Sequence, residues 1–357
     1  MPDPRIRVTI VVPDLFPLLG LQLSSVALVE TLARNYHVRV VVLADTASTA
    51  LANSDATVES WGRKVVGWKR LFTVLRALRH RKDLDGSVVI LSGAWAAIPM
   101  LLALPKPSRL RTLVWEHSFD NEKVGSARSL AVLRAVARPL YSRARATITV
   151  SESLRRDMLG AGFSGSIEVI PNIVRKFEIN HASNPIPGRL LAVGSLTKTK
   201  NQALALQTLA MLPLKYSLDI VGEGPERPAL EQLVDELGLA DRVVLHGYLS
   251  DPTEQFAGAQ IVIHPSLGET YGLVLFEAAE FRRPVVAANQ SAMAEMIPQL
   301  VPGLVAEPQP DAFANAILSL DTAPLTAQDY DEAARRRAQI SKGIEDDWKR
   351  LINSAAL

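Results

Sequence analysis

The chain has 357 residues, of which 48% are hydrophobic and 21% are charged, so two soluble globular domains are expected. It contains no cysteine, which excludes disulfides and thiolate metal sites and fits a reducing compartment. The net charge of +2 is uneven: residues 1–170 hold 23 Lys and Arg against 14 Asp and Glu, whereas the remainder hold 16 against 23. The basic first half indicates either scattered solvated charge or contact with a polyanion or an anionic membrane surface.

The first residues run directly into a strand-like segment and lack the long apolar core of a signal peptide. We therefore expect a cytoplasmic protein, held at the inner face of the membrane if its basic half binds lipid. The apolar stretch from Val88 to Leu104 is short for a membrane span and contains Gly93 and Pro99. We interpret it as a buried strand, a turn and a helix from about Trp95.

Strand-like and helix-like segments alternate through the first half of the chain. The predicted strands cover residues 6–12, 38–43, 87–91, 112–115, 147–150 and 167–170, and the predicted helices lie between them. Ser151 is predicted to cap the helix that follows the fifth strand. The helix predicted over 68–82 is strongly basic with apolar residues on one side, which indicates either a solvated helix or one resting on anionic lipid.

A polar, proline-bearing stretch over residues 181–188 is the best linker, and a second alternating series follows it. Its predicted strands cover residues 190–193, 217–221, 243–246, 261–264 and 284–287. Continuous apolar strands separated by helices indicate parallel sheets covered on both faces.

The predicted fold is therefore α/β, with two doubly wound, Rossmann-like domains facing each other across a cleft. We predict an N-terminal domain over 1–180 and a C-terminal domain over 188–325. A C-terminal helix is expected over 326–357, opened by a capping box of Thr326 and Asp329 and packing back on the first domain.

Two glutamates, Glu269 and Glu277, flank the start of a predicted helix in the second domain. Glu269 lies in the loop after the strand 261–264, so both carboxylates are expected in the crevice at the carboxyl ends of the sheet. The nearby helix N-terminus offers unpaired amides and a partial positive charge, which suit a phosphate. An acid and an anion site together predict a phosphorylated sugar or a nucleotide as ligand.

Two other strand-to-helix loops in the second domain carry weaker signals. The loop from Gly194 to Lys200 can place an ammonium group on a diphosphate, although a lysine in such a loop is also common on solvated surfaces. The loop Gly222-Glu223-Gly224 is similar to a dinucleotide fingerprint, but Arg227 replaces the third glycine, which disfavours a nicotinamide site.

In the first domain, His117 follows a strand end and Gly20 joins the first strand to the first helix. A lone histidine is often structural, and a glycine there is as easily a plain tight turn as a place for close backbone approach to a ligand. No second histidine or carboxylate lies at ligand spacing from His117, so no metal site is predicted.

Taken together, these segments resemble the family 4 (group 1) glycosyltransferases, which are retaining enzymes of the GT-B fold. The resemblance is strongest from about residue 151 to residue 306, and the first half matches more loosely. It rests on five motifs in the right order: Val150-Ser151-Glu152-Ser153, Val169-Ile170-Pro171-Asn172, the Gly194 to Lys200 loop, Val221-Gly222-Glu223-Gly224-Pro225, and Glu269 to Glu277 with Pro284-Val285-Val286 after it.

The resemblance implies that the N-terminal domain (1–180) binds the acceptor and that the C-terminal domain (188–325) binds the nucleotide sugar. It also implies roles for single residues. Glu269 would contact the transferred sugar, Lys200 would neutralise the diphosphate, Glu277 would accept the ribose hydroxyls, and His117 would lie near the sugar. The remaining donor-binding positions implied are Gly20, Gly194, Ser195, Gly222, Tyr248, Tyr271, Gly272, Leu273 and Val274. Two positions depart from the family pattern: Ser195 replaces an arginine, and Leu19 replaces one of two adjacent glycines.

The implied activity is transfer of a sugar, with retention, from a UDP- or GDP-linked donor to a glycan or a lipid-linked acceptor, as in polysaccharide or glycolipid biosynthesis. No metal, no other cofactor and no nucleic-acid partner is expected. Because no carboxylate is clearly placed as a covalent nucleophile, front-face attack by the acceptor hydroxyl is the working hypothesis. A sugar-nucleotide epimerase of the same fold and a non-catalytic nucleotide-binding subunit remain as alternatives.

Overall fold

The protein consists of two compact units, described here from a computed structural model. One unit comprises Met1–Arg175 together with Ser341–Leu357, and the other comprises Lys176–Ile340. The structure describes residues 6–15, 20–43, 51, 54–61, 80–118, 127–173, 185–290 and 292–357. Residues 68–79 of the predicted basic helix, and Leu19, lie outside these ranges.

The first unit contains a fully parallel sheet of seven strands in the order β3-β2-β1-β4-β5-β6-β7. The strands are β1 (Arg7–Val12), β2 (His37–Val42), β3 (Thr57–Ser60), β4 (Val88–Ser92), β5 (Thr112–Glu116), β6 (Ala146–Thr149) and β7 (Ile167–Val169). Strands β1 and β4 are completely buried in their centres, as their Val-, Ile- and Leu-rich sequences predict, with Thr9 as the one polar residue inside β1.

Helices connect the strands of this sheet. They are α1 (Gly20–Ala33), α2 (Ala94–Ala103), α3 (Lys106–Arg109), α4 (Ala127–Tyr141) and α5 (Glu152–Gly160), with a short 3₁₀ helix at Arg81–Leu84. Ser151 caps α5 as predicted, since its Oγ accepts a hydrogen bond from the amide of Leu154 at 3.2 Å. The apolar stretch 88–104 forms β4 and α2, and none of the helices in the described residues is long and apolar enough to span a membrane.

The second unit contains a parallel sheet of six strands in the order β10-β9-β8-β11-β12-β13. The strands are β8 (Arg189–Val193), β9 (Ser217–Val221), β10 (Val243–Gly247), β11 (Ile261–His264), β12 (Val285–Ala288) and β13 (Gly303–Ala306). The helices are α6 (Gln202–Met211), α7 (Arg227–Glu236), α8 (Thr253–Gly258), α9 (Leu273–Glu280), α10 (Met293–Leu300), α11 (Pro310–Thr322) and α12 (Ala327–Ala356). Two doubly wound parallel sheets confirm the predicted fold class.

The last helix, α12, begins in the second unit and ends in the first. Its start is capped as predicted, because Asp329 accepts a hydrogen bond from the amide of Thr326 at 2.7 Å. Its final turns pack on the first unit, where the completely buried Trp348 meets Trp115 edge to face with ring centroids 5.5 Å apart. The chain therefore completes the first unit with its own C-terminal residues.

Candidate active site

The order of strands reverses between β8 and β11 in the second sheet, since β8 pairs with both β9 and β11. In doubly wound folds, ligands bind outside the carboxyl ends of the strands at this reversal. The loop after β8 carries Lys200, and the loop after β11 carries Glu269. The two loops that the sequence singled out therefore leave the sheet from neighbouring strands.

Glycines let the loops after β8 and β9 approach each other through bare backbone. A Cβ on Gly222 would stand 1.9 Å from the carbonyl oxygen of Gly194, and a Cβ on Gly224 would stand 2.3 Å from that of Leu196. The amide of Leu196 donates to the carbonyl oxygen of Glu223 at 2.9 Å. The glycines of this motif thus serve loop-to-loop packing, which accounts for them without a dinucleotide site.

The loops after β8 and β11 are also joined to each other. The amide of Leu267 donates to the carbonyl oxygen of Thr199 at 2.8 Å, and the Oγ of Ser266 donates to the same oxygen at 3.3 Å. A Cβ on Gly268 would come within 2.9 Å of the Thr199 methyl group. These contacts join the residue just before Lys200 to the residues just before Glu269.

The side chains of Lys200 and Glu269 meet in a mostly buried ion pair, in which the ammonium donates to Oε2 of the carboxylate. His264, at the end of β11, places its Nε2 3.5 Å from the same oxygen. The other oxygen, Oε1, accepts from the amide of Thr270 at 3.2 Å. Burial raises the pKa of Glu269, but Lys200 and then His264 outweigh it and hold that pKa well below its usual range.

The helix α9 begins immediately after this cluster. Gly272 caps it with a positive φ of 67°, and the first-turn amides of Leu273 and Val274 have no acceptor within the helix. Tyr271 precedes the helix, is buried and stacks on Phe276 with ring centroids 5.2 Å apart. Burial raises the pKa of Tyr271, so its hydroxyl stays protonated. Two such amides at the start of a helix suit a negatively charged ligand.

Glu277 lies in the second turn of α9 and is half-buried. Among the described residues, none donates a hydrogen bond to its carboxyl group or pairs with it. Burial raises the pKa of Glu277 to about 7. The group is therefore an acceptor without a protein partner in the described part of the chain, which suits a ligand with hydroxyl groups.

Two predicted donor-binding residues lie at the surface of the second unit. Ser195 is exposed in the loop after β8, and Tyr248 is 46% exposed just after β10. Within the described residues, no hydrogen bond links either side chain to the other predicted site residues. The last residue of β10, Gly247, does contact the predicted site, because its carbonyl oxygen accepts a hydrogen bond from the amide of Gly222 at 2.8 Å.

His117 lies in the first unit, one residue after β5. It is buried, its Nε2 is 3.3 Å from the Oγ of Ser92, and its ring lies 4.2 Å from that of Trp115. Ser92 in turn is 3.3 Å from the Oγ of Ser25. Gly20 is the first residue of α1 and is exposed. The roles of His117 and Gly20 toward a sugar stay predictions.

Sequence reasoning missed two buried groups that the structure brings into these sites. Glu116 accepts hydrogen bonds from the hydroxyl of Tyr141 at 2.7 Å and from the amides of His117 and Ser118. His264 contacts Glu269 as described. Each is a polar residue at the carboxyl end of an apolar strand, and that position was the signal available in the sequence.

In the described part of the chain, no cluster of three or more His, Asp or Glu side chains could hold a metal ion.

Two family models match the chain in consecutive segments. The model for Glycosyltransferase Family 4 matches residues 20–176, and the model for Glycosyl transferases group 1 matches residues 175–337. The first covers almost only the first unit, and the second covers nearly the whole second unit with its Lys200 and Glu269 loops.

Two curated relatives and one solved structure illustrate the similarity. The chain is 26% identical to the lipopolysaccharide core biosynthesis glycosyltransferase LpsD of Rhizobium meliloti over 58% of this chain and 66% of that protein. It is 32% identical to the alpha-D-kanosaminyltransferase of Streptomyces kanamyceticus over 33% of this chain and 32% of that protein. It thus spans about a third to two thirds of these relatives. A crystal structure of Anabaena HepE with UDP and glucose superposes with a TM-score of 0.78 at 21% identity, covering 98% of this chain and 100% of that one.

Proposed function

The chain belongs to the family 4 and group 1 glycosyltransferases, a family of transferase enzymes, and on that premise we propose that it moves a sugar from a nucleoside-diphosphate sugar to an acceptor hydroxyl with retention of configuration. One observation carries the proposal: Lys200, Glu269 and the amino end of α9 converge at the point where the strand order of the second sheet reverses. The cation and the helix amides suit a diphosphate, and the carboxylate suits sugar hydroxyls.

The charges of this cluster favour a leaving group stabilised as an anion. Glu269 is ionised at neutral pH because its pKa is held low, so it has no proton to give to the departing phosphate. The ammonium of Lys200 and the amides of Leu273 and Val274 would instead hold the negative charge that develops there. The departing phosphate would assist removal of the proton from the acceptor hydroxyl, and that hydroxyl would attack from the same face of the sugar.

Glu277 provides the complementary contact to the nucleoside. Its carboxyl group is half-buried and has no partner among the described residues, and an ionised carboxylate can accept both hydroxyls of a ribose. Neither contact distinguishes a uracil from a guanine base. The donor is therefore proposed as UDP- or GDP-linked, with no cofactor needed for the chemistry described.

The proposal is tested by turnover of a panel of UDP- and GDP-sugars with glycan and lipid-linked acceptors, read by mass spectrometry, with the anomeric configuration of the product read by NMR. The variant Glu269→Ala is expected to lose at least 100-fold in transfer and to remain folded, with a lower unfolding midpoint because Lys200 loses its ion-pair partner. Exposed Glu254→Ala on α8 is the matched control and should retain full activity. Full activity in Glu269→Ala, or an inverted product, would contradict the proposal.

A non-catalytic nucleotide-binding subunit is the second candidate, and the exposed Ser195 favours it because this position has lost the family's arginine. Such a subunit would raise its unfolding midpoint with UDP or GDP but would neither transfer nor hydrolyse any donor. The same assay detects an epimerase, which would change the sugar nucleotide without any acceptor.

We further propose that the acceptor is a glycan or a lipid-linked glycan met at an anionic membrane surface. The likeness to a lipopolysaccharide core glycosyltransferase supports the class of acceptor. The surface that supports membrane contact is the outer face of α4, an exposed stripe of Arg128, Ala131, Val132, Ala135, Val136 and Pro139. Residues 127–151 contain five arginines and no Asp or Glu, so the charged residues of this segment are all basic.

Co-sedimentation with vesicles of phosphatidylglycerol and phosphatidylcholine tests the membrane proposal. Binding is expected at low salt, is expected to fall at high salt, and should weaken severalfold in the variant Val132→Ser with Val136→Ser. Val244→Ser, which changes an equally exposed valine on β10, is the control. Equal binding by the Val132→Ser, Val136→Ser variant and by the Val244→Ser control would show that this surface does not contact the membrane. Absence of binding at low salt would contradict the membrane proposal itself.

A further inference from the structure

The carboxylate of Glu269 has two side-chain neighbours on one oxygen, the ammonium of Lys200 and the Nε2 of His264. We propose that His264 is a positioning residue, which holds Glu269 in place when the Lys200 ammonium turns to the donor diphosphate. This role rests on the function proposed above, because it assumes that a diphosphate reaches Lys200.

The two neighbours of Glu269 differ in how firmly they are held. His264 ends β11, which is bounded by β8 and β12, and only 4% of its side chain is exposed. Lys200 reaches Glu269 with a flexible four-carbon stem from a loop, and 25% of its side chain is exposed. A ligand that competes for the ammonium will therefore move Lys200 and leave His264 in place.

Competition for Lys200 leaves the Glu269 carboxylate short of a partner in a largely buried setting. A buried carboxylate that loses its cation is strongly destabilised unless another donor replaces it. Within the described residues, the Nε2 of His264 is buried and makes no hydrogen bond at present, at 3.5 Å from Oε2. A shift of the carboxylate by about half an ångström brings this pair to ordinary hydrogen-bond distance.

Among the described residues, His264 is the one side chain besides Lys200 that lies within 4 Å of Oε2 of Glu269 as an ion-pair partner. Across the β11–β12 pair, His264 faces Ala287, which has no polar side-chain atom. The amide of Thr270 already donates to the other oxygen of Glu269, Oε1. His264 is therefore the described side chain already in place to take over from Lys200 on Oε2.

Steady-state kinetics of three variants with the best donor of the panel, together with calorimetric binding of UDP and GDP, test this role. His264→Leu removes the hydrogen-bond donor, the imidazole N–H, and is expected to lower kcat about ten- to a hundredfold. KM for the sugar donor and Kd for the nucleotide should stay within about threefold of the wild type. His264→Gln, whose amide reaches the position of Nε2, should recover kcat to within about threefold. His264→Asn, whose amide is shorter, should behave like His264→Leu.

This split between kcat and KM and the rescue by Gln alone would not arise from a merely structural histidine. If His264→Leu fails to fold, the comparison of Gln with Asn still decides the matter. Equal kcat in all variants, an equal loss in Gln and Asn, or a rise in KM with kcat unchanged overturns the positioning role while the proposed function stands. A wild-type protein that binds neither UDP nor GDP and turns over no donor overturns the proposed function itself.

Discussion

The carbonyl oxygen of Gly194 lies 1.9 Å from the place that a Cβ on residue Gly222 would occupy. The loops after β8 and β9 are therefore held together at a point where no side chain fits. Since the first of these loops carries Lys200, the spacing of the two backbones sets where the ammonium can stand.

We expect Gly222→Ala to destabilise the second unit by about 3 kcal/mol, because the added methyl group forces the two backbones apart and the residue has a positive φ. The unfolding midpoint should fall by roughly 6–12 °C, and nucleotide affinity should fall with it. Gly238→Ala is the control, since it shares a positive φ of 65° but meets open space, and it should cost only about 1 kcal/mol. Equal losses in the two variants would show that loop contact is unimportant.

Ser195 stands where the family has an arginine, and its side chain is exposed in the same loop as Lys200. We expect Ser195→Arg to strengthen binding of UDP or GDP about tenfold, because a guanidinium can form a charge-assisted pair with the diphosphate. Titration calorimetry at low and high salt should show that the gain shrinks with salt. Ser319→Arg, an exposed position on α11, adds the same charge elsewhere and should change little.

The acid Glu277 predicts a pH-dependent stability. Burial raises its pKa from 4.5 to about 7, so the folded state holds this proton more tightly than the unfolded state does. The stabilisation of the folded state by the protonated carboxyl is therefore fully present below pH 4.5 and is lost as the pH rises through 7. Glu277→Gln carries no charge and should be more stable than the wild type above pH 7, by on the order of 2 kcal/mol, and nearly equal to it near pH 4.5.

Thermal unfolding of both proteins between pH 4.5 and 8 measures this difference, with exposed Glu254→Gln as the control that should show none. The same Glu277→Gln variant should bind nucleotide more weakly, because an amide accepts through a single oxygen. A stability difference that does not grow with pH would refute the assignment of Glu277 as a carboxyl that titrates near neutrality.

Because Trp348 is completely buried in the first unit, we expect the last helix, α12, to be essential for the stability of that unit. Trp348→Ala should lower the free energy of unfolding by about 3–5 kcal/mol, because it removes a completely buried indole that contacts Trp115. Urea unfolding followed by tryptophan fluorescence is the measurement. Leu357→Ala, at a completely exposed terminal residue, should have no effect. A loss below 1 kcal/mol would mean that α12 is dispensable to this unit.

Much of the fold could be predicted from the sequence, because buried parallel strands are continuous apolar runs that local reading detects. Strands β4 and β11 and the capping box of Thr326 are of this kind. The sequence pattern does not predict strands β3 and β13, since both are only four residues long and partly exposed, and they lack such a run. It does not predict the helices α10 and α11 after Ala288 either.

The site was predictable where one short segment contains both a charged side chain and the strand-to-helix loop that positions it, as in the loops of Lys200 and Glu269. Their ion pair joins residues 69 positions apart, and no local pattern reveals such a contact. Glu116 is similar, since its partner Tyr141 comes 25 residues later. The sequence shows which residues carry charge, and the order of the strands in the sheet decides which of these residues meet.

The route of α12 has a consequence for how the protein is made. The second unit is a continuous segment, Lys176–Ile340, so all of its residues are synthesised before Ser341. The first unit combines Met1–Arg175 with Ser341–Leu357, so its two parts are synthesised before and after the whole second unit. Because Trp115 meets Trp348 in the later part, the first unit can finish folding only after the second unit has been synthesised.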